Sequence, residues 1–350
     1  MRGNGGRVMT EPPSPLRMLL YRHTKRREFI TLLGGAAVAW PLAARAQQAG
    51  KVWRIGLLFG SSRSAASGLY DAFVQGMREL GYVEGKDFVI EWRFLEGNYD
   101  RIPEIVAELV RLKVEVIVTS SGAALPALKR EITTIPIVMA PSTDPVGNGL
   151  VASLVHPGGN MTGLATSSDD SAPKQLELLA TVIRNVSRIG FLGNPSNTNY
   201  SPILKSVQDA AQKVSLSLVS KEARSPQEIE SAFAAFAKEG VQAVMFTGDA
   251  VFFGQRRQIA ELALANRLAT MFPQREYVVA GGLMSYGEYL ADFLRRAAPY
   301  LDKIFKGAKA GDLPIEQPTL FHLVINRKTA DALGVTIPAQ LYIFAHEVIE

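Results

Sequence analysis

The chain has 350 residues, with 38 Lys and Arg against 33 Asp and Glu, and no cysteine. The missing thiol excludes disulfides, thiolate metal sites and cysteine nucleophiles. The basic excess sits in the first 46 residues, which hold 8 basic and 2 acidic side chains; the remaining 30 against 31 carry no electrostatic footprint for nucleic acid.

Lys25-Arg26-Arg27-Glu28-Phe29-Ile30 supplies a paired-arginine opening, and residues 29–40 are an uncharged apolar stretch of 12. A bilayer span needs about 20. Ala44-Arg45-Ala46 then gives a small-x-small cleavage pattern. Residues 1–46 are expected to be a twin-arginine-like export signal, cut after Ala46. The 304 residues that follow suffice for two lobes with cores of their own.

From residue 52 the chain alternates strand-like and helix-like segments. Residues 52–59 form an apolar strand followed by Ser61-Ser62. Residues 69–80 make an amphipathic helix with Phe73, Val74, Met77 and Leu80 on one stripe, stopped by Gly81. A strand at 87–94, a helix at 101–112 and a strand at 114–119 come next. That strand ends in Ser120-Ser121-Gly122, ahead of a helix at 124–129. Residues 135–139 begin a fourth strand, broken by the turn residues Pro141 to Pro145. Residues 149–155 read as a short helix that His156-Pro157-Gly158 stops, and 161–165 extend again. Such alternation predicts a doubly wound parallel sheet.

The second half repeats the first. Arg54-Ile55-Gly56-Leu57-Leu58 recurs as Arg188-Ile189-Gly190-Phe191-Leu192, an offset of 134, and residues 114–119 recur as 241–246, an offset of 127. After this second lobe come a strand at 281–287, a long helix at 288–306, a strand at 320–325 and a helix at 328–333 ended by Gly334. Elements beyond a complete second lobe imply that the chain recrosses, near residues 285–287 and 316–320. The expected architecture is α/β: two Rossmann-like lobes with parallel sheets joined by three crossover strands. Lobe 1 is 47–163 plus 287–316, and lobe 2 is 164–286 plus 317–350.

Enzyme motifs are weak. Gly147-Asn148-Gly149-Leu150-Val151-Ala152 fits a dinucleotide pattern, but seven residues separate it from the strand that should lead straight into it. Ser171-Ala172-Pro173-Lys174 has the spacing of serine acylases without their companion motifs, and Ser171 reads more simply as a helix cap. The three histidines past the leader (His156, His322, His346) are far apart in sequence, and no cofactor motif is present.

What remains is a set of strand-end loops: Ser61 and Ser62, Ser120, Ser121 and Gly122, Ser142 and Asp144, Asn194, Asn197 and Thr198, then Gly248 and Asp249. Loops at the carboxyl ends of parallel strands converge where open α/β folds bind ligands. The helix start at Ser120 suits a carboxylate, while Asp144 and Asp249 suit an amine. Alanine at either acid is expected to weaken binding at an unchanged melting temperature. Tyr70, Phe252 and Tyr286 are the candidate apolar walls.

The stretch DPVGNGLVASLVHPGGNMTGL, the NPSN loop and the tail SYG…DFLRRAAPYLDKIFKGAKAGDLPIEQPT…INRKTADALGVTIP resemble the ABC-transporter substrate-binding proteins of the tryptophan/tyrosine-type family. The resemblance implies the type I periplasmic binding protein fold and no catalysis. It implies a periplasmic monomer that closes by a hinge on an amino acid or similar carboxylate and delivers it to an ABC permease in the inner membrane. Alternatives are a signalling receptor of the same fold and an exported serine hydrolase.

Overall fold

The computed structural model of the chain describes residues 51–166, 168–317 and 320–350, with backbone only at 168–170. The expected export signal lies outside the described residues. Residues 52–350 form one compact unit, and no described helix is long and apolar enough to cross a membrane.

The first sheet has the order β2-β1-β3-β4-β5. Its strands are β1 (Trp53–Phe59), β2 (Phe88–Phe94), β3 (Val116–Thr119), β4 (Ile137–Thr143) and β5 (Met161–Thr166), all parallel. The last five residues of β1 and all of β3 are buried without alternation, as strands covered on both faces must be. The second sheet runs β12-β11-β10-β9-β8-β6-β7. It contains β6 (Arg188–Gly193), β7 (Ser217–Glu222), β8 (Ala243–Phe246), β9 (Ala269–Phe272), β10 (Met284–Gly287), β11 (His322–Asn326) and β12 (Glu347–Ile349). Only the β10–β11 pair is antiparallel.

The internal repeat is structural down to its register. Ile55 pairs with Val116 and Leu58 with Thr119 in the first sheet; Ile189 pairs with Ala243 and Leu192 with Phe246 in the second. The offsets of 134 and 127 therefore carry one strand pair onto the other without a slip, and a one-residue slip would turn every side chain to the wrong face.

Helix α1 (Ser67–Glu79) buries Leu69, Phe73, Gly76 and Met77, spaced for one helical face. Of the predicted stripe, Phe73 and Met77 are buried and Val74 packs half-buried against the core, while Leu80 lies beyond the helix and is 41% exposed. The long helix α10 (Leu290–Phe305) follows β10 of the second sheet yet packs Leu294, Ala297 and Leu301 into the apolar cluster holding Phe73 and Met77. The chain thus passes between the lobes after β5, after β10 and once more between Glu316 and β11. Residues 318–319 of that last passage lie outside the described residues. Its approach is sewn to the first lobe: Gly158 N–H donates to Gly311 O, Glu316 N–H to Gly163 O and Ala165 N–H to Glu316 O.

Residues 149–155 form turns, not the predicted helix. The amides of Leu150 and Val151 both reach back to Pro145 O, Ala152 N–H donates to Pro157 O, and Gly149 is left-handed at φ 65°. Those bonds close a loop and leave no i→i−4 ladder.

Candidate ligand cleft

Parallel strands put all their carboxyl ends on one edge, and the two sheets present those edges to each other across a cavity of about 150 Å³. The first lobe contributes Gly60 and Ser61 after β1, Ser120 to Ala123 after β3, Thr143 closing β4 and Thr166 closing β5. The second contributes Asn197 and Asn199 after β6, Gly248 to Ala250 after β8, and Pro273 and Gln274 after β9. Gly287 and Glu288 line it at the β10 passage, while Leu69, Phe253, Leu290 and Phe293 give it an apolar flank.

Asp249 organises the second lobe's rim. It is 6% exposed and caps α7 (Ala250–Gly254), accepting from Val251 N–H at 2.9 Å. Asn194 donates to the same carboxylate oxygen at 3.2 Å; Tyr99 Oη (2.8 Å) and Asn197 Nδ2 (3.0 Å) donate to the other. Asn197 also donates to Gly248 O and accepts from Asn199 N–H, so the Asn194–Asn199 loop is locked onto the loop after β8. A carboxylate offers about four acceptor sites; Asp249 has four donors on it.

Two of these bonds cross between lobes. Tyr99, which follows β2, reaches Asp249, and Asn199 Nδ2 donates to Thr143 Oγ1 at 3.1 Å. Burial, then the Asp249 charge, pushes the Tyr99 phenol far above its ordinary value, so it stays a donor. Gly60 permits the approach: a Cβ there would stand 2.8 Å from the Ala250 Cβ.

Of the residues chosen from sequence, Ser61, Ser120, Ser121, Gly122, Asn197, Gly248 and Asp249 line the cavity. The others do not. Ser62 bonds Ser64 Oγ at 3.2 Å, and Ser142 is buried within β4. Thr198 is exposed, and Asn194 lies beneath the rim, reaching it only through Asp249. Asp144 is exposed with φ 38° and spends Oδ1 on Gly147 N–H at 2.8 Å; it closes a turn in the way short polar side chains do, and so falls short of the cleft. The expected apolar walls are also misplaced. Tyr70 donates to Glu84 on the outside, Phe252 is core, and Tyr286 stacks on Phe321 at 5.5 Å.

Sequence reasoning missed Tyr99, Thr143, Thr166, Asn199, Gln274 and Glu288. It weighed Ser171 as the serine of an acylase-like motif and preferred to read it as a helix cap. In the fold α4 (Ser168–Val182) begins three residues earlier, and Ser171 lines the cavity at 5% exposure. Its motif partner Lys174 pairs with Glu177 at 2.7 Å. Gln274 was findable, because it follows a strand as the other loops do; its Oε1 is buried with no hydrogen-bond partner among the described residues. Histidines His322 and His346 meet edge to face at 4.7 Å, apart from the cavity lining, and no described group of His, Asp and Glu is arranged to hold a metal ion.

Four similarities to known proteins bear on this cleft. A family model described as ABC transporter substrate binding protein matches residues 59–349. A tyrosine-binding protein of Clostridioides difficile (strain R20291) is 26% identical over 263 residues, 75% of each chain. A crystal structure of an ABC domain from Streptococcus pneumoniae in complex with L-Trp matches with a TM-score of 0.78 and 26% identity, covering 85% of this chain and 100% of that one. A conserved domain protein from Vibrio cholerae matches with a TM-score of 0.79, again at 26% identity and the same coverage.

Proposed function

Because this chain belongs to the ABC transporter substrate-binding protein family, we propose that it captures a small amino-acid-like ligand between its lobes and hands it to a membrane permease. The observation that carries this reading is the shared cavity, lined by strand-end loops of both sheets and flanked by Phe253 and Phe293. Relatives named for tyrosine and tryptophan favour an aromatic ligand. Engineered cavities of about this volume hold one aromatic ring. The loop at Ser120 supports a carboxylate grip. Ser120 N–H is spent on Leu58 O and Ser121 N–H on Thr119 Oγ1, which leaves the serine hydroxyls and the next two amides for a ligand.

In this reading the lobes divide near residues 163, 286 and 316 and close as rigid bodies about the three passages. The paired-arginine leader exports the chain, it is cut after Ala46, and the mature receptor works in the periplasm as a monomer. A thermal-shift series with the twenty amino acids and small carboxylates tests the ligand class. A true ligand at 100 times Kd adds about 2.7 kcal/mol, worth a rise of about 5 °C for a chain of this size. A series without a shift removes the amino-acid reading.

Closure has its own test. Tyr99→Phe deletes one charge-assisted bond across the cleft, worth about 1.5–3 kcal/mol. The ligand-bound state depends on the lobes meeting, so Kd is expected to rise roughly tenfold or more, with a larger radius of gyration in solution scattering. An unchanged Kd and radius would show that the Tyr99–Asp249 bond does not hold the lobes together.

A further inference from the structure

We propose that Gln274 selects a ligand whose aromatic side chain carries a hydrogen-bonding group, a phenol O–H or an indole N–H, over one whose ring has none; the inference rests on the aromatic amino-acid reading above. Gln274 lines the cavity just past β9. Its Oε1 is buried with no hydrogen-bond partner among the described residues. Its Nε2 lies against Gly248, where a Cβ would stand 2.9 Å from it. The bare backbone of Gly248 is what lets this amide rest on the loop after β8.

The polar neighbours of Gln274 on the second lobe are committed. Asp249 has four donors on it. Asn197 gives Nδ2 to Gly248 O and Asp249 and accepts from Asn199 N–H, while Asn199 gives Nδ2 to Thr143. A buried acceptor without a donor is costly, and a ligand that brings the donor relieves that cost. The last torsion of a glutamine is soft, so the amide can turn either Oε1 or Nε2 to the ligand. A phenol uses either end and an indole N–H uses Oε1; a phenyl ring uses neither.

Sheet order puts this amide at the far end of the ligand. Asn199, after β6, faces the loop that grips the carboxylate: its Nδ2 would lie 3.8 Å from a Cβ on Gly122. In the second sheet β8 and then β9 follow β6. The loops carrying Asn199 and Gln274 are therefore two strand spacings apart, about 10 Å. An aromatic amino acid with its carboxylate at the Ser120 loop runs along that edge. Its ring crosses Gly248 beside Phe253, and its tip arrives at Gln274.

Calorimetric titration of the purified protein with L-tyrosine and L-phenylalanine tests this, because the two share carboxylate, amine and ring and differ by one hydroxyl. L-Tryptophan and 3-benzothienyl-L-alanine, in which sulfur replaces the indole N–H, repeat the comparison on a larger ring. A site that hydrogen-bonds a ligand group rejects the analogue lacking it, because its own buried groups are left unpaired. Tyrosine is expected to outbind phenylalanine, and tryptophan its sulfur analogue, by at least about tenfold. Gln274→Met keeps the length of the side chain without its polar atoms. It is expected to weaken tyrosine and tighten phenylalanine until they differ by less than about threefold. Phenylalanine binding within about twofold of tyrosine on the parent protein, inside the spread of one weak hydrogen bond, overturns the inference and leaves the receptor reading standing. So does a Gln274→Met variant that keeps the parent's preference, since the discrimination then belongs to another residue. If none of the four compounds binds, the aromatic-ligand reading falls and takes this inference with it.

Discussion

Replacing Asp249 with alanine is expected to cost about 3–5 kcal/mol of folding stability, a fall of about 6–10 °C in melting temperature for a chain of this size. The number follows from what the carboxylate holds. Four donors point at it, and it caps α7. Each buried donor left without an acceptor costs about 1–3 kcal/mol, and losing a helix cap costs about 1 kcal/mol; neighbours in one network do not add fully. Sequence reasoning expects the opposite signature, weaker binding at constant stability, because a lone acid after a strand looks like a ligand contact. A melt within about 2 °C of the parent, about one kcal/mol at this size, would restore that view. Pairing the variant with Tyr99→Phe sharpens the test: once the acceptor is gone the phenol has nothing to lose, so Tyr99→Phe should be nearly silent in the Asp249→Ala background.

The lobes were legible because their signal is local. Strands buried on both faces read as unbroken apolar runs, and the shared motif at Arg54 and Arg188 places β1 and β6 at equivalent sites, each flanked by the next two strands of its lobe. The fold class follows from that alternation. Half of the cleft was legible too, since every residue just past a central parallel strand must lie on the same edge.

What could not be read depends on partners far away in the chain. Tyr99 belongs to the cleft only because Asp249, 150 residues later, comes to meet it. Glu288 follows a glycine in a segment that looks like the start of a long helix, and its side chain matters because the helix begins two residues later, at Leu290. The turns at 149–155 mislead for the same reason. Their apolar spacing suits a helix, yet Leu154 O and Gly158 N–H are engaged by Ile315 and Gly311, and a tertiary partner of that kind overrides local propensity. Asp144 fails in the other direction: a polar residue at a strand end is as well suited to capping its own turn as to holding a ligand.

Gly163→Ala is expected to be the most damaging small change in the chain, removing about 3–6 kcal/mol or preventing accumulation of folded protein. Two independent penalties coincide there. The residue sits at φ 128°, where a side chain is strained by about 1–3 kcal/mol. Its Cβ would also stand 2.3 Å from Met139 O and 2.6 Å from Met139 N on the adjacent strand. Backbone cannot swing aside as a flexible side chain can, so β4 and β5 must part. Thr143 and Thr166, which end those two strands, line the cavity, and Gly163 O also receives Glu316 N–H from the third passage. The damage should therefore reach the ligand: whatever folded Gly163→Ala protein can be recovered should bind at least about tenfold more weakly, a loss near 1.4 kcal/mol. Gly68→Ala is the matched control. It lies in the first turn of α1 with nothing within 4 Å of the added Cβ, and exchanging glycine for alanine in a helix should stabilise by about 0.5–1 kcal/mol. A Gly163→Ala protein that melts within about 3 °C of the parent, under about 2 kcal/mol at this size, would mean that the two strands can separate at little cost. The passage after β5 would then be a soft joint, and closure would have to be located elsewhere.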